Sequence, residues 1–137
     1  SYVGIAGETD VDDWAIIGGG TKVHQFSKIG AHAMVGGGTG VNKDIPPYSL
    51  CGRTPLVYAG VNIVGLRRRG FDSDVVRNIR DIYDMLYYQG YNFSDAMCRI
   101  EEGFPDSEEK RVILDFIRSS KRGIVRAGDL REKGGIE

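Results

Sequence analysis

An aliphatic residue recurs at every sixth position from Ile5 through Val11, Ile17, Val23, Ile29 and Val35 to Val41. Four residues after each stands a mostly small one, Thr9, Ala15, Thr21, Ser27, Ala33 and Thr39, until Ile45 breaks that column. A strand repeats every two residues and an amphipathic helix about every 3.6, so a period of six predicts a short strand and a corner, repeated. Three hexads close one triangular coil. Stacking then places Ile5, Val23 and Val41 in one column, Val11 and Ile29 in a second, and Ile17 and Val35 in a third. Glycines crowd between positions 18 and 40, where corners are required.

The register ends at Asp44-Ile45-Pro46-Pro47-Tyr48, where two prolines remove ladder donors and stop the coil. Residues 49–65 read as extended, with Leu56, Val57, Tyr58, Val61 and Ile63 turned onto the coil. From Phe71 the period becomes helical: Asp72 or Ser73 caps a first helix carrying Val75, Val76, Ile79, Ile82, Tyr83, Leu86 and Tyr87, closed by Gly90. A second helix starts at Asn92 or Ser94 and ends near Gly103. A third starts near Pro105 or Ser107, with Glu108 and Glu109 well placed in its first turn. The expected organisation is a hexapeptide-repeat β-helix over 1–48, an extended connector with a basic cluster over 49–70, a C-terminal helical domain over 71–126 and a disordered tail over 127–137.

Composition narrows the function classes. The chain has 137 residues and a net charge of -1, which gives no whole-chain reason to expect nucleic acid. No apolar run approaches the roughly 20 residues that span a bilayer, and no signal peptide is evident. Cys51 and Cys98 match no metal-ligand spacing and read as reduced thiols of a cytoplasmic protein. The chain enters the repeat already in register at Ser1, so a C-terminal fragment is expected.

Four stretches carry a more specific signal. They are Val23-His24-Gln25-Phe26, Ile29 to Gly37, Asp44 to Tyr48, and Val61-Asn62-Ile63-Val64-Gly65-Leu66-Arg67-Arg68-Arg69-Gly70-Phe71. Together they resemble the acyl-[acyl-carrier-protein]–UDP-N-acetylglucosamine O-acyltransferase family of lipid A biosynthesis. The resemblance runs from about Val3 to Arg126 and implies a left-handed parallel β-helix, an exception to the right-handed crossover rule, followed by a helical domain. It also implies a homotrimer with active sites between subunits, no cofactor and no metal. The implied reaction moves an (R)-3-hydroxyacyl group from acyl carrier protein to the 3-hydroxyl of UDP-N-acetylglucosamine, with a histidine as general base and a backbone N–H on the oxyanion.

Residue by residue, the resemblance assigns the oxyanion N–H to Gly7, and substrate contacts to His24, Gln25, Asn62, Arg68 and Arg69. Met34 and Gly37 fall on the acyl-chain groove. Glycine at the ruler position implies a long donor, on the order of fourteen to sixteen carbons, since each buried CH₂ is worth about 0.8 kcal/mol. The family's base lies one coil before the Gly7 position, so the 137 residues alone are expected to be inactive. Two departures stand out: Glu8 replaces a common histidine, and Val64 replaces the acidic residue two positions after Asn62. Arginines suit phosphate oxygens by their charged fork. Lys110, Arg111, Arg118, Lys121, Arg122 and Arg126 can meet an acidic carrier protein, and surface solubility explains them equally. Alternatives are another hexapeptide-repeat acyltransferase on an amino sugar and a non-catalytic trimerisation module. A zinc hydratase of this architecture needs three histidines, and the chain has two.

Overall fold

The computed structural model describes residues 4, 5, 7, 9–53 and 55–128. Seven two-residue strands follow the hexads: β1 (Gly4–Ile5), β2 (Asp10–Val11), β3 (Ile16–Ile17), β4 (Lys22–Val23), β5 (Lys28–Ile29), β6 (Met34–Val35) and β7 (Gly40–Val41). All pair in parallel, eighteen residues apart in sequence: Ile5 with Val23, Val23 with Val41, Val11 with Ile29, and Ile17 with Val35. The columns expected from the six-residue period are therefore those observed. Val23, Ile29, Val35 and Val41 are buried, whereas Ile5 and Val11 in the first two strands are not. The small residues point inward too. Thr21, Ser27, Ala33 and Thr39 are buried, and the Thr21 and Thr39 hydroxyls both donate to Gly36 O.

Corners are turned by one left-handed residue per hexad. Trp14, Gly20, Phe26, His32 and Gly38, each six apart, have φ between 58° and 76°. That conformation is free for glycine and disfavoured for bulky side chains.

The prolines do not stop the coil, contrary to the sequence expectation. Ile45 pairs with Ile29, and β8 (Ser49–Gly52) pairs in parallel with β6, Val35 facing Cys51. These partners are sixteen residues apart rather than eighteen, so the corner at Asn42-Lys43-Asp44 is two residues short. The prolines sit on the next corner, where no ladder N–H is needed. A Cβ on Gly30 would lie 2.5 Å from Pro47 N, so Gly30 lets that corner close.

The segment expected as an extended connector lying against the coil forms a hairpin and a helix. β8 turns back antiparallel onto β9 (Val57–Val61), and a short helix α1 (Ile63–Arg68) follows. Three longer helices come next: α2 (Ser73–Tyr88), α3 (Phe93–Gly103) and α4 (Glu108–Ser119). Asn92 and Ser107 cap α3 and α4 with their side chains, accepting from Asp95 N and Lys110 N. The stripe Val76, Ile79, Ile82, Tyr83 and Leu86 of α2 is buried. It meets the hairpin through Tyr58, stacked on Tyr83 and Tyr87 at 5.5 and 4.2 Å.

Residues 120–128 then return to the coil instead of continuing as helix. Ile124 bridges Asp44, Val125 N donates to Asp44 O at 3.0 Å, and Ala127, expected in the tail, bridges Tyr58. Lys110 is also not a docking cation. It is 4% exposed, and its ammonium donates to Glu101 O, Phe104 O and Asp106, tying off the end of α3. No helix among the described residues is long and apolar enough to cross a membrane.

Candidate active-site cavity

The hairpin carries α1 to the side of the coil, and between them opens a cavity of about 840 Å³. Its wall is mainly apolar, with Trp14, Ile16, Met34, Leu50 and Val61, and Asn62, Arg68 and Arg69 form its polar end. Asn62 is 4% exposed and fixed twice. Its Oδ1 accepts from Gly65 N at 3.3 Å, capping α1, and its Nδ2 donates to His32 O at 3.0 Å. A Cβ on residue 65 would come within 2.4 Å of Asn62 Nδ2, so glycine is required for this cap to form.

Arg69 closes the other end of α1. Its guanidinium lies 5.7 Å from the centroid of the Trp14 ring, and its Nη1 lies 3.2 Å from His32 Nδ1. His32 is held in a column of rings. Trp14 stacks on one side at 6.4 Å, Tyr48 on the other at 5.8 Å, and Phe71 meets its edge at 4.9 Å. Burial first, and then the Arg69 charge, push the imidazole below its ordinary pKa, with Asp13 opposing. Burial also raises the Cys51 thiol to about 12, so this cysteine is a core thiol rather than a nucleophile.

The structure therefore brings together Met34, Asn62, Arg68 and Arg69 of the expected site. Chemically the arrangement suits an amphiphilic ligand, with a hydrocarbon against Met34, Ile16 and Leu50 and anionic oxygens at the arginines. Val64, where an acidic residue was expected from the family, is 62% exposed on the cavity wall.

The other expected residues lie elsewhere. His24 lines a second cavity of about 540 Å³ with Asn42, Lys43, Arg53, Phe93 and Arg126. Gln25 is exposed, and its carbonyl accepts from Arg122 at 2.7 Å. Gly7 is exposed, and among the described residues none beyond its chain neighbours comes within 4 Å of where a Cβ would be. Gly37 is packed on the preceding coil, a Cβ there lying 2.9 Å from Gly19 O, and it lines neither cavity. Glu8 lies outside the described residues. No group of three or more His, Cys, Asp or Glu among the described residues is arranged to hold a metal ion.

A family model described as UDP-N-acetylglucosamine O-acyltransferase, domain 2, matches residues 44–125. The chain belongs to the UDP-N-acetylglucosamine O-acyltransferase family. One relative, the acyl-[acyl-carrier-protein]–UDP-N-acetylglucosamine O-acyltransferase of Burkholderia lata, is 39% identical over 126 residues, covering 89% of this chain and 48% of its own. Among solved structures, a UDP-N-acetylglucosamine acyltransferase from Bacteroides fragilis is 47% identical with a TM-score of 0.85, covering 87% of this chain and 47% of its own. The Francisella novicida enzyme of the same name is 33% identical with a TM-score of 0.88, covering 95% and 48%. The chain thus spans about half the length of these UDP-N-acetylglucosamine O-acyltransferases.

Within this family frame, sequence reasoning missed Trp14 and the ring role of His32. The signal was present. Trp14 and His32 are eighteen residues apart, one full coil, and both fall on the left-handed corner position.

Proposed function

We propose that the chain is the C-terminal part of an acyltransferase that moves an (R)-3-hydroxyacyl chain from acyl carrier protein to the 3-hydroxyl of UDP-N-acetylglucosamine, the first step of lipid A biosynthesis. The observation that carries this reading is the cavity whose Asn62, Arg68 and Arg69 end is cationic and polar while its Met34 and Leu50 wall is apolar. A nucleoside diphosphate sugar and a fatty acyl chain need those two environments side by side. The coil is read as left-handed, and the enzyme as a cytoplasmic homotrimer whose clefts combine two subunits. That assembly supports the separation of His24, Gln25 and Gly7 from the Arg68 end, because one cleft then draws these groups from neighbouring chains.

In this reading Arg68 and Arg69 bind phosphate oxygens, Asn62 contacts the nucleotide, and His24 and Gln25 line the far wall. Gly7 N–H stabilises the oxyanion formed on the thioester carbon. Met34 lies along the acyl chain, and Gly37, which lines neither cavity of the single chain, leaves the end of that acyl chain open in the groove between subunits. Neither His24 nor His32 is assigned as the base that takes the sugar hydroxyl proton. Thermal unfolding with sugar nucleotides tests the reading. UDP-N-acetylglucosamine should raise the transition temperature and UDP-glucose should raise it less, because a ligand that binds only the folded state stabilises it. No shift with either would refute it.

A further inference from the structure

The corner at His32 is more elaborate than turning the chain requires. Gly20 and Gly38 turn equivalent corners without a side chain, yet residue 32 is a histidine held at φ 58°. Its ring is gripped on three sides by Trp14, Tyr48 and Phe71. Gripped in this way, it presents Nδ1 to Arg69 Nη1 at 3.2 Å, while its backbone carbonyl accepts from Asn62 Nδ2 at 3.0 Å. A guanidinium has donors only, so Nδ1 is the acceptor, and the ring proton belongs on Nε2. One corner residue therefore touches both polar groups that flank α1.

We propose that His32 is a positioning residue for the anion-binding end of the cavity, holding Arg69 through its ring and Asn62 through its carbonyl. The inference rests on the nucleotide reading of that end. Arginine has a long side chain that loses rotamer freedom when it grips a phosphate, and ordering it beforehand reduces that loss. Trp14 supplies a face for the guanidinium and His32 supplies direction. Among the described residues, the charged and titratable groups facing the imidazole are Arg69 from the end of α1, Asp13 from the adjoining corner and the Tyr48 phenol. Burial raises the pKa of that phenol, so it stays neutral. Arg69 is thus the cation that needs an acceptor, and His32 serves only while uncharged.

Asparagine tolerates the left-handed corner and places its Oδ1 where histidine has Nδ1. Glycine tolerates the corner with no acceptor, and phenylalanine keeps a stacked ring with no acceptor. UDP binding is measured by calorimetry on the whole chain for wild type, His32→Asn, His32→Gly and His32→Phe, each also with Arg69→Ala. The proposal expects His32→Asn within about threefold of wild type and His32→Gly and His32→Phe weakened about tenfold, a typical loss for a hydrogen bond to a charged group. With Arg69→Ala the three should become equal. If His32→Phe does not fold, the Asn and Gly variants decide the outcome. Asn as weak as Gly, Phe or Gly binding like wild type, or differences that persist without Arg69 would each overturn the proposal. A wild-type chain that binds no UDP overturns the nucleotide reading, and this inference with it.

Discussion

Asp44 and Ser120 are 76 residues apart, yet the Ser120 hydroxyl donates to Asp44 Oδ2 while Asp44 Oδ1 accepts from Lys28 N at 2.8 Å. Asp44 is buried and stands on the shortened corner. Its carboxylate occupies the gap that the two absent residues leave. Asp44→Ala removes both bonds and leaves Lys28 N–H unpaired, so a loss of roughly 1.5 to 3 kcal/mol is expected for bonds to a charged group. Urea unfolding measures it. A loss within 0.5 kcal/mol, roughly the scatter of surface substitutions, would show that water replaces the carboxylate.

Arg68 is exposed on the cavity wall, and no hydrogen bond ties its side chain to the described residues in the way His32 ties that of Arg69. Its proposed role is a direct phosphate contact. Arg68→Ala should weaken UDP-N-acetylglucosamine binding by roughly 1.5 to 3 kcal/mol while leaving the melting temperature nearly unchanged. Equal affinity in titration calorimetry would remove Arg68 from the site.

Gly36 and Gly37 separate two accounts of donor length. Gly36 lines the cavity, and a Cβ there makes only ordinary contacts, the nearest at 3.7 Å. A Cβ on Gly37 would press on Gly19 O at 2.9 Å. In an active acyltransferase carrying this chain, Gly37→Met should favour shorter donors and also lower stability by about 1 to 3 kcal/mol through overpacking. Competition between donors of different length reads the first effect and a melt reads the second. If Gly36→Met alone shifts the preference, the groove ends one residue earlier.

The imidazole of His32 also predicts a pH dependence of stability. Its folded-state pKa lies below the ordinary value of about 6.5, so the unfolded chain takes up the proton first as pH falls. Its contribution is absent above that value. On acidification from about pH 6.5 toward the lowered folded value, the wild type should lose stability relative to His32→Asn. Parallel stability curves for the two proteins across pH 7 to about 4.5 would contradict this.

The coil was legible because each hexad repeats the same local problem: one inward aliphatic, one small inward residue and one left-handed corner. Val23, Ile29, Val35 and Val41 declare it without reference to anything distant. The continuation through Ile45 and Cys51 was hidden for a definite reason. A four-residue step from Val41 to Ile45 breaks the period, and two prolines imitate a stop when they occupy a corner. Helix α1 has six residues with Gly65 among them, too few for a hydrophobic period, and its cap depends on a contact with His32 thirty residues earlier. The polar end of the cavity was half legible. Arg68 and Arg69 are visible as a basic cluster, whereas the rings that orient Arg69 come from three separate corners and the start of α2.

The two-residue shortening at Asn42-Lys43-Asp44 fixes what changes of length this architecture can absorb. Upstream of it, partners are eighteen apart, and inserting a further eighteen residues there keeps the ladder register. Past it, partners are sixteen apart, and Asp44 must meet both Lys28 N and Ser120. An extra coil spliced in after Asp44 would shift the hairpin, α1 and the returning 120–128 segment together. The corner is thus a junction between two registers, and a whole added coil leaves it undisturbed only on its upstream side.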